Sequence, residues 1–165
     1  MSAVPPEPAQ DYLLLRSRIL SLNPDEMGLA PTNETPHVWG IVTETGYDVG
    51  SATLISLADG TTSLYFSTGG GMLGSSEYIP LAEAAKALVA QAEILFEQMT
   101  STIELPLPEV GTVRFTILTY TGNFSTEAPL KILSTGQHSM SSLFTLAQAT
   151  LEQLRLLSEK KRKSL

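Results

Sequence analysis

The sequence predicts an α+β fold on a mainly antiparallel sheet, with elements in the order α-β-β-β-α-β-(β)-α. Three observations lead there. Three strand-like runs follow one another between Val38 and Thr68, and two of them are joined by Asp59-Gly60, a strong hairpin signal. An alanine-rich helical pattern fills residues 80–99. A further alternating run at 111–120 precedes an amphipathic pattern that starts near Ser141. Strands grouped before helices belong to layered α+β architectures.

The elements follow in order. Residues 1–9, with Pro5, Pro6 and Pro8, are expected to be a mobile tail before a single domain at 10–159. Asp11 is placed to cap a helix through "YLLLRSRILSL", which Asn23-Pro24 ends. Three prolines make residues 23–37 a long loop. "VWGIVTET" sets Trp39 and Ile41 on one face of a strand and Val38 and Val42 on the other. "SATLISLA" and "TTSLYFST" complete an antiparallel meander. Pro80 suits a first helical turn. Leu81, Ala85, Leu88, Ala92, Leu95 and Met99 then form one apolar row, and Ala82, Val89 and Phe96 a second. "GTVRFTILTY" sets Val113, Phe115 and Ile117 against Arg114 and Thr116, as a half-buried strand does. Thr121-Gly122-Asn123 turns the chain into an edge strand that breaks at Pro129. Leu143, Ala147, Leu151 and Leu154 stripe the final helix, with Ser141 or Ser142 as its cap. The order loosely resembles the profilin-like and roadblock-like arrangements, in which helices flank a five-stranded antiparallel sheet. The resemblance covers element order alone and implies no function.

Composition narrows the function classes. Charged residues make up 16% of the 165, against about one-quarter in typical globular chains. With 42% hydrophobic residues, that leaves ample core and suggests a further surface buried between subunits. There is no cysteine, which excludes disulfides, thiolate metal sites and cysteine nucleophiles. No stretch is apolar enough for a membrane span, and the N-terminus lacks a signal-peptide pattern, so a cytoplasmic protein is expected. Four of the ten basic residues lie in the C-terminal tail, 160–165, as Lys160–Lys163. Residues 1–159 hold six basic against seventeen acidic residues, a balance of −11 that repels polyanions. Nucleic-acid binding by the body of the domain is therefore not expected. The tail is read as a solvated complement to the negative end of the last helix.

The motif that invites a functional reading is "STGGGMLGSSEYIP", residues 67–80. Gly69, Gly71 and Gly74 satisfy the dinucleotide spacing G-x-G-x-x-G, with Gly70 between the first two. That fingerprint needs a parallel βαβ unit and an acidic residue about twenty positions on. Here the preceding run belongs to an antiparallel meander, and Glu93 falls inside the predicted helix. A Walker loop fails as well, because Gly74 is followed by Ser75-Ser76 without a lysine. A weaker binding site is left: Gly69, Gly70, Gly71, Gly74, Ser75 and Ser76 as a lid, or as amide and hydroxyl donors to a small anion at the helix start. Arg114 or Lys131 would supply the missing charge through folding. The competing reading is a glycine corner carrying the sheet to its covering helix.

Other chemistry is thin. His37 and His138 are the only histidines and have no metal-ligand spacing. Ser139, Ser141 and Ser142 beside His138 read as caps, since no G-x-S-x-G elbow is present. Glu44 and Asp48 flank the turn in "TETGYDVG", where acidic residues are ordinary. No catalytic constellation assembles, and no cofactor is called for. The expectation is a small binding module that self-associates or docks a protein partner, motivated by the wide apolar arc of the 80–99 helix. The alternative is a small-molecule-binding protein or enzyme that uses the Gly69–Gly74 loop.

Overall fold

In a computed structural model describing residues 5–163, two strands far apart in sequence pair at the centre of the sheet. They are β1 (Val38–Tyr47) and β6 (Thr112–Thr119), and every residue of β1 up to Gly46 is buried. Around them lie β2 (Gly50–Leu57), β3 (Thr62–Phe66) and β4 (Gly71–Gly74) on one side, and β7 (Gly122–Pro129) and β5 (Thr100–Ser101) on the other. The order is β4-β3-β2-β1-β6-β7-β5, with each neighbouring pair antiparallel. The helices are α1 (Gln10–Leu20), α2 (Ile79–Leu95), α3 (Leu130–Ser134) and α4 (Ser141–Lys163). The element order that resembles the five-stranded arrangements thus carries two extra strands, β4 from the glycine run and the short β5.

Two layers of unequal thickness cover the sheet. α2 and α4 pack on one face, where Leu81, Leu88, Leu143 and Leu154 meet Ile41, Phe115 and Ile117. Both apolar rows of α2 are consumed there: Ala82, Val89 and Phe96 are buried along with Leu81, Leu88 and Leu95. The arc that suggested an external partner is therefore matched within the chain. The opposite face carries α1, the segment after it and, over Glu44 and Arg114, the backbone of Leu105 and Pro106. Ile19, Leu20, Leu22 and Leu29 close over Trp39, Val42, Ile55 and Leu118. The segment expected as plain loop also contains a 3-10 turn at Pro24–Met27, capped by the Asn23 side chain.

Trp39 and Ile41 do not share a face. Val38 pairs with Thr119 and Gly40 with Leu118, so Trp39 is an extra residue in β1, a β-bulge. The bulge shifts the two-residue alternation by one. Trp39 joins Val42 under α1, donating from Nε1 to the Thr119 carbonyl at 3.1 Å, while Val38 and Ile41 face α2 and α4. Two further expectations change. Asp11 lies in the first turn of α1 and the cap position is Ala9, with no side-chain cap bond. Lys160–Lys163 continue α4 rather than forming a separate tail. Residues 1–4 and 164–165, parts of the two predicted tails, lie outside the described residues. Among the described residues no helix is long and apolar enough to cross a membrane.

Candidate functional site

The glycine run is the edge of the sheet, not a corner between sheet and helix. Gly69 and Gly70 take φ of 107° and 80°, which closes a tight turn after β3. Gly71–Gly74 then pairs back on β3 as β4. Gly74 is required by packing, because a Cβ there would lie 2.1 Å from Leu81 Cδ2. Ser75 and Ser76 sit in the exposed connection to α2, and Ser75 Oγ accepts from the Glu77 amide at 3.4 Å. They do not line the cleft that Gly69, Gly70 and Gly71 help to form. That cleft, about 360 Å³, is walled by Ala9, Tyr12, Leu15, Tyr65, Phe66 and Leu73, with Asp11 as its one charged lining residue. The helix start beside the glycines is therefore that of α1, tied in by the Ala9 amide on the Ser67 carbonyl at 2.7 Å.

A second hollow of about 230 Å³ continues along α1, lined by Leu15, Ile19, Leu22, Met27, Ile55 and Tyr65 among others. Leu15 and Tyr65 belong to both, so the two make one groove between α1 and the β3–β4 half of the sheet. The groove exists because a single helix spans one face of a seven-stranded sheet. α1 closes over the central strands and leaves the outer pair open. Leu73 on β4 is 64% exposed, and Leu14 on α1 60%.

What fixes α1 in place is a row of polar side chains that sequence reasoning passed over. Thr53, Glu44, Arg114 and Glu127 stand opposite one another on β2, β1, β6 and β7. Tyr12 and Arg16, one helical turn apart, descend on this row from α1. Tyr12 Oη and Thr53 Oγ1 are 2.6 Å apart. Arg16 donates from Nε and Nη2 to the two Glu44 oxygens at 2.6 and 2.9 Å, and Thr53 Oγ1 donates to Glu44 at 2.8 Å. Arg114 grips Glu127 Oε1 through Nε and Nη2 at 2.8 and 2.5 Å, with Nη1 on the Pro106 carbonyl and 3.9 Å from Glu44. Arg16 also reaches the Leu105 and Pro106 carbonyls, at 2.7 and 3.3 Å.

Glu44, expected to flank the turn in "TETGYDVG", lies inside β1 and is 0% exposed. A carboxylate so deeply buried persists only when charge and hydrogen bonds replace its water. Burial pushes the Tyr12 phenol above its ordinary 10.0, opposed by the bond to Thr53. Burial pulls the Arg16 guanidinium down, but Glu44 more than offsets it and the net direction is upward. Arg114 is thus committed to this row and is not available to the glycine turn. Lys131, exposed on α3, does not line the cleft either. A signal for the row was present: Glu44 and Arg114 are the only charged residues in these two strands.

The histidines serve the backbone. Glu93 accepts from the His37 and Val38 amides at 2.7 and 3.0 Å and lies 3.0 Å from His37 Nδ1, so it caps the start of β1. His138 Nδ1 accepts from the Met140 amide, and Ser141 Oγ bridges the His138 amide to the Leu133 carbonyl. Ser142 accepts from Gln91 on α2 at 3.0 Å, and these serines join helices. Among the described residues, no group of three or more His, Asp and Glu is arranged to hold a metal. No protein-family model, curated protein or solved structure matches this chain.

Proposed function

We propose that this chain is a binding module that docks a protein segment on the α1 side of its sheet. One observation carries the reading: an apolar groove runs from Met27 to Leu73 between a firmly held helix and the outer strands, with Arg18 and Asp11 as its charged lining residues. Apolar surface left open beside a rigid wall favours a partner that buries it. The wall is rigid because the Tyr12 and Arg16 bonds fix α1 to the sheet. Selection from a random-peptide display library tests it. Peptides retained by the wild type should be lost by a Leu15→Glu, Tyr65→Asp double variant that keeps the wild-type circular dichroism. A library yielding no peptide that tells the two proteins apart sinks the reading. Light scattering of the wild type alone, over a range of concentrations, detects a second copy as the occupant.

A small molecule in the Gly69–Gly71 end of the groove is the second reading, favoured by the walls that Tyr12, Tyr65 and Phe66 give that cleft. With Asp11 at its rim, the chemistry suits a neutral or cationic ring compound better than a phosphate or carboxylate. A thermal-shift panel spanning aromatic amines, nucleotides and carboxylates distinguishes these.

A further inference from the structure

We propose that β4 is the receiving edge for an extended segment whose residues alternate between apolar and acidic. The proposal rests on the docking reading above and names the occupant. Three features of β4 specify it.

The first is its hydrogen-bonding parity. The Phe66 amide donates to the Gly70 carbonyl at 3.1 Å, so Phe66 and Gly70 form a bonded pair at the turn. Bonded and non-bonded pairs alternate in an antiparallel ladder. Leu64 with Met72 and Thr62 with Gly74 are then bonded pairs, and Gly71 and Leu73 turn their N–H and C=O groups away from β3. β4 ends the sheet, so these groups face outward with no further strand beyond them among the described residues. Such an edge is a template for another strand.

The second and third features are the two faces of that edge. On the α1 side, Leu73 stands exposed beside Tyr65 and the groove. On the opposite side, α4 crosses the Gly74 end: Leu154 and Leu157 would touch a Cβ on Gly74, and Lys160 Nζ lies 5.9 Å over the Tyr78 ring. One turn further come Lys161, Arg162 and Lys163, all exposed. Glu159, which precedes them in sequence, pairs with Arg155. Residues 160–163 hold four of the ten basic side chains on a chain of net charge −7. Successive residues of an added strand face opposite sides of a sheet. One set would extend the apolar groove from Leu73, and the other would meet the basic end of α4. A second copy fits less well, because pairing β4 with its own image sets two basic helix ends on one face about one short strand apart.

Synthetic peptides test this directly. The probe is a seven-residue peptide alternating Val with Glu, and its control alternates Val with Lys, each fluorescently labelled for anisotropy. The Glu peptide should bind about tenfold more tightly than the Lys peptide at low salt, and the difference should shrink at high salt. Leu73→Pro removes an outward N–H without touching the β3 pairing, so it should abolish binding at unchanged melting temperature. Should that variant unfold, Leu73→Asp keeps the amide and should weaken the Glu peptide by a similar factor. Arg162→Glu with Lys163→Glu should erase the preference between the two peptides. Binding that ignores both Leu73 variants, or equal affinity for the two peptides, overturns strand addition. If library peptides still fail on the Leu15→Glu, Tyr65→Asp protein in that case, the groove reading survives and only the occupant was misassigned. If nothing binds in either assay, both fall.

Discussion

Arg16 on α1 and Glu44 on β1 form a two-pronged ion pair, at 2.6 and 2.9 Å, in a place where Glu44 meets no solvent. Arg114 stands on the far side of the same carboxylate at 3.9 Å. One buried anion therefore balances two guanidinium groups, the second of which also leans on Glu127. Removing the anion should do more damage than removing either cation. Glu44→Ala should cost about 3–5 kcal/mol, because it leaves like charges facing one another without water. For a chain of this length that lowers the melting temperature by on the order of 10 °C. Arg16→Leu should cost less, since Arg114 and Thr53 still attend Glu44. Thermal melts of the two variants check the order, and a milder effect for Glu44→Ala would contradict the account.

Tyr12 offers a pH-dependent counterpart. Its bond to Thr53 is worth about 1 kcal/mol, so Tyr12→Phe should be modestly destabilising at neutral pH. The folded protein holds the phenolic proton above the ordinary 10.0, chiefly because the ring is buried. As pH rises past that value the unfolded chain releases its proton first, and stability falls through the window up to the folded pKa. The advantage of wild type over Tyr12→Phe should therefore narrow as the pH rises above the ordinary phenol value of about 10. Tyr120, also raised by burial, titrates in both proteins and cancels in the comparison. Denaturant titrations at several alkaline pH values measure the gap, and a gap that widens would reverse the sign.

The glycines divide into two kinds, and substitutions should separate them. A Cβ on Gly71 would sit 2.1 Å from the Leu64 carbonyl oxygen, and one on Gly74 equally close to Leu81 Cδ2. Gly74→Ala should cost about 1–3 kcal/mol by overpacking, and Gly71→Ala should loosen β4 from β3. Gly70 has open space and φ of 80°, a conformation asparagine tolerates. Gly70→Asn should leave the melting temperature nearly unchanged and so serve as the clean probe of ligand binding at this turn.

At the start of β1, the carboxylate should matter more than the imidazole. Glu93→Ala strips two backbone amides of their acceptor, at about 1–3 kcal/mol, whereas the His37 ring is largely exposed. Chemical denaturation of the two alanine variants gives the comparison. If His37→Ala proves the more harmful, the histidine has a role beyond this cap.

The architecture was legible because local signals agreed with it: the Asp59-Gly60 hairpin, the alanine-rich row of α2 and the alternation of Val113, Phe115 and Ile117 all hold. What escaped was set by pairing across distance. β4 is four residues long and half glycine, so no periodicity marks it. Glu44 read as flanking a turn: it stands out as the lone charge of its strand, but nothing local reveals that Arg16 and Arg114 converge on it. The groove arises from the mismatch between one helix and seven strands, a property of the assembled layers and not of any segment.

The extra residue at Trp39 has a consequence for how this protein can change. Upstream and downstream halves of β1 are held one step out of phase, which keeps Val38 and Ile41 in one core and Trp39 and Val42 in the other. Losing a single residue there would slide Val38 towards the Trp39 site and leave the indole without its Thr119 acceptor. Point replacements at 38–40 should thus be far better tolerated than any change in chain length at the same spot.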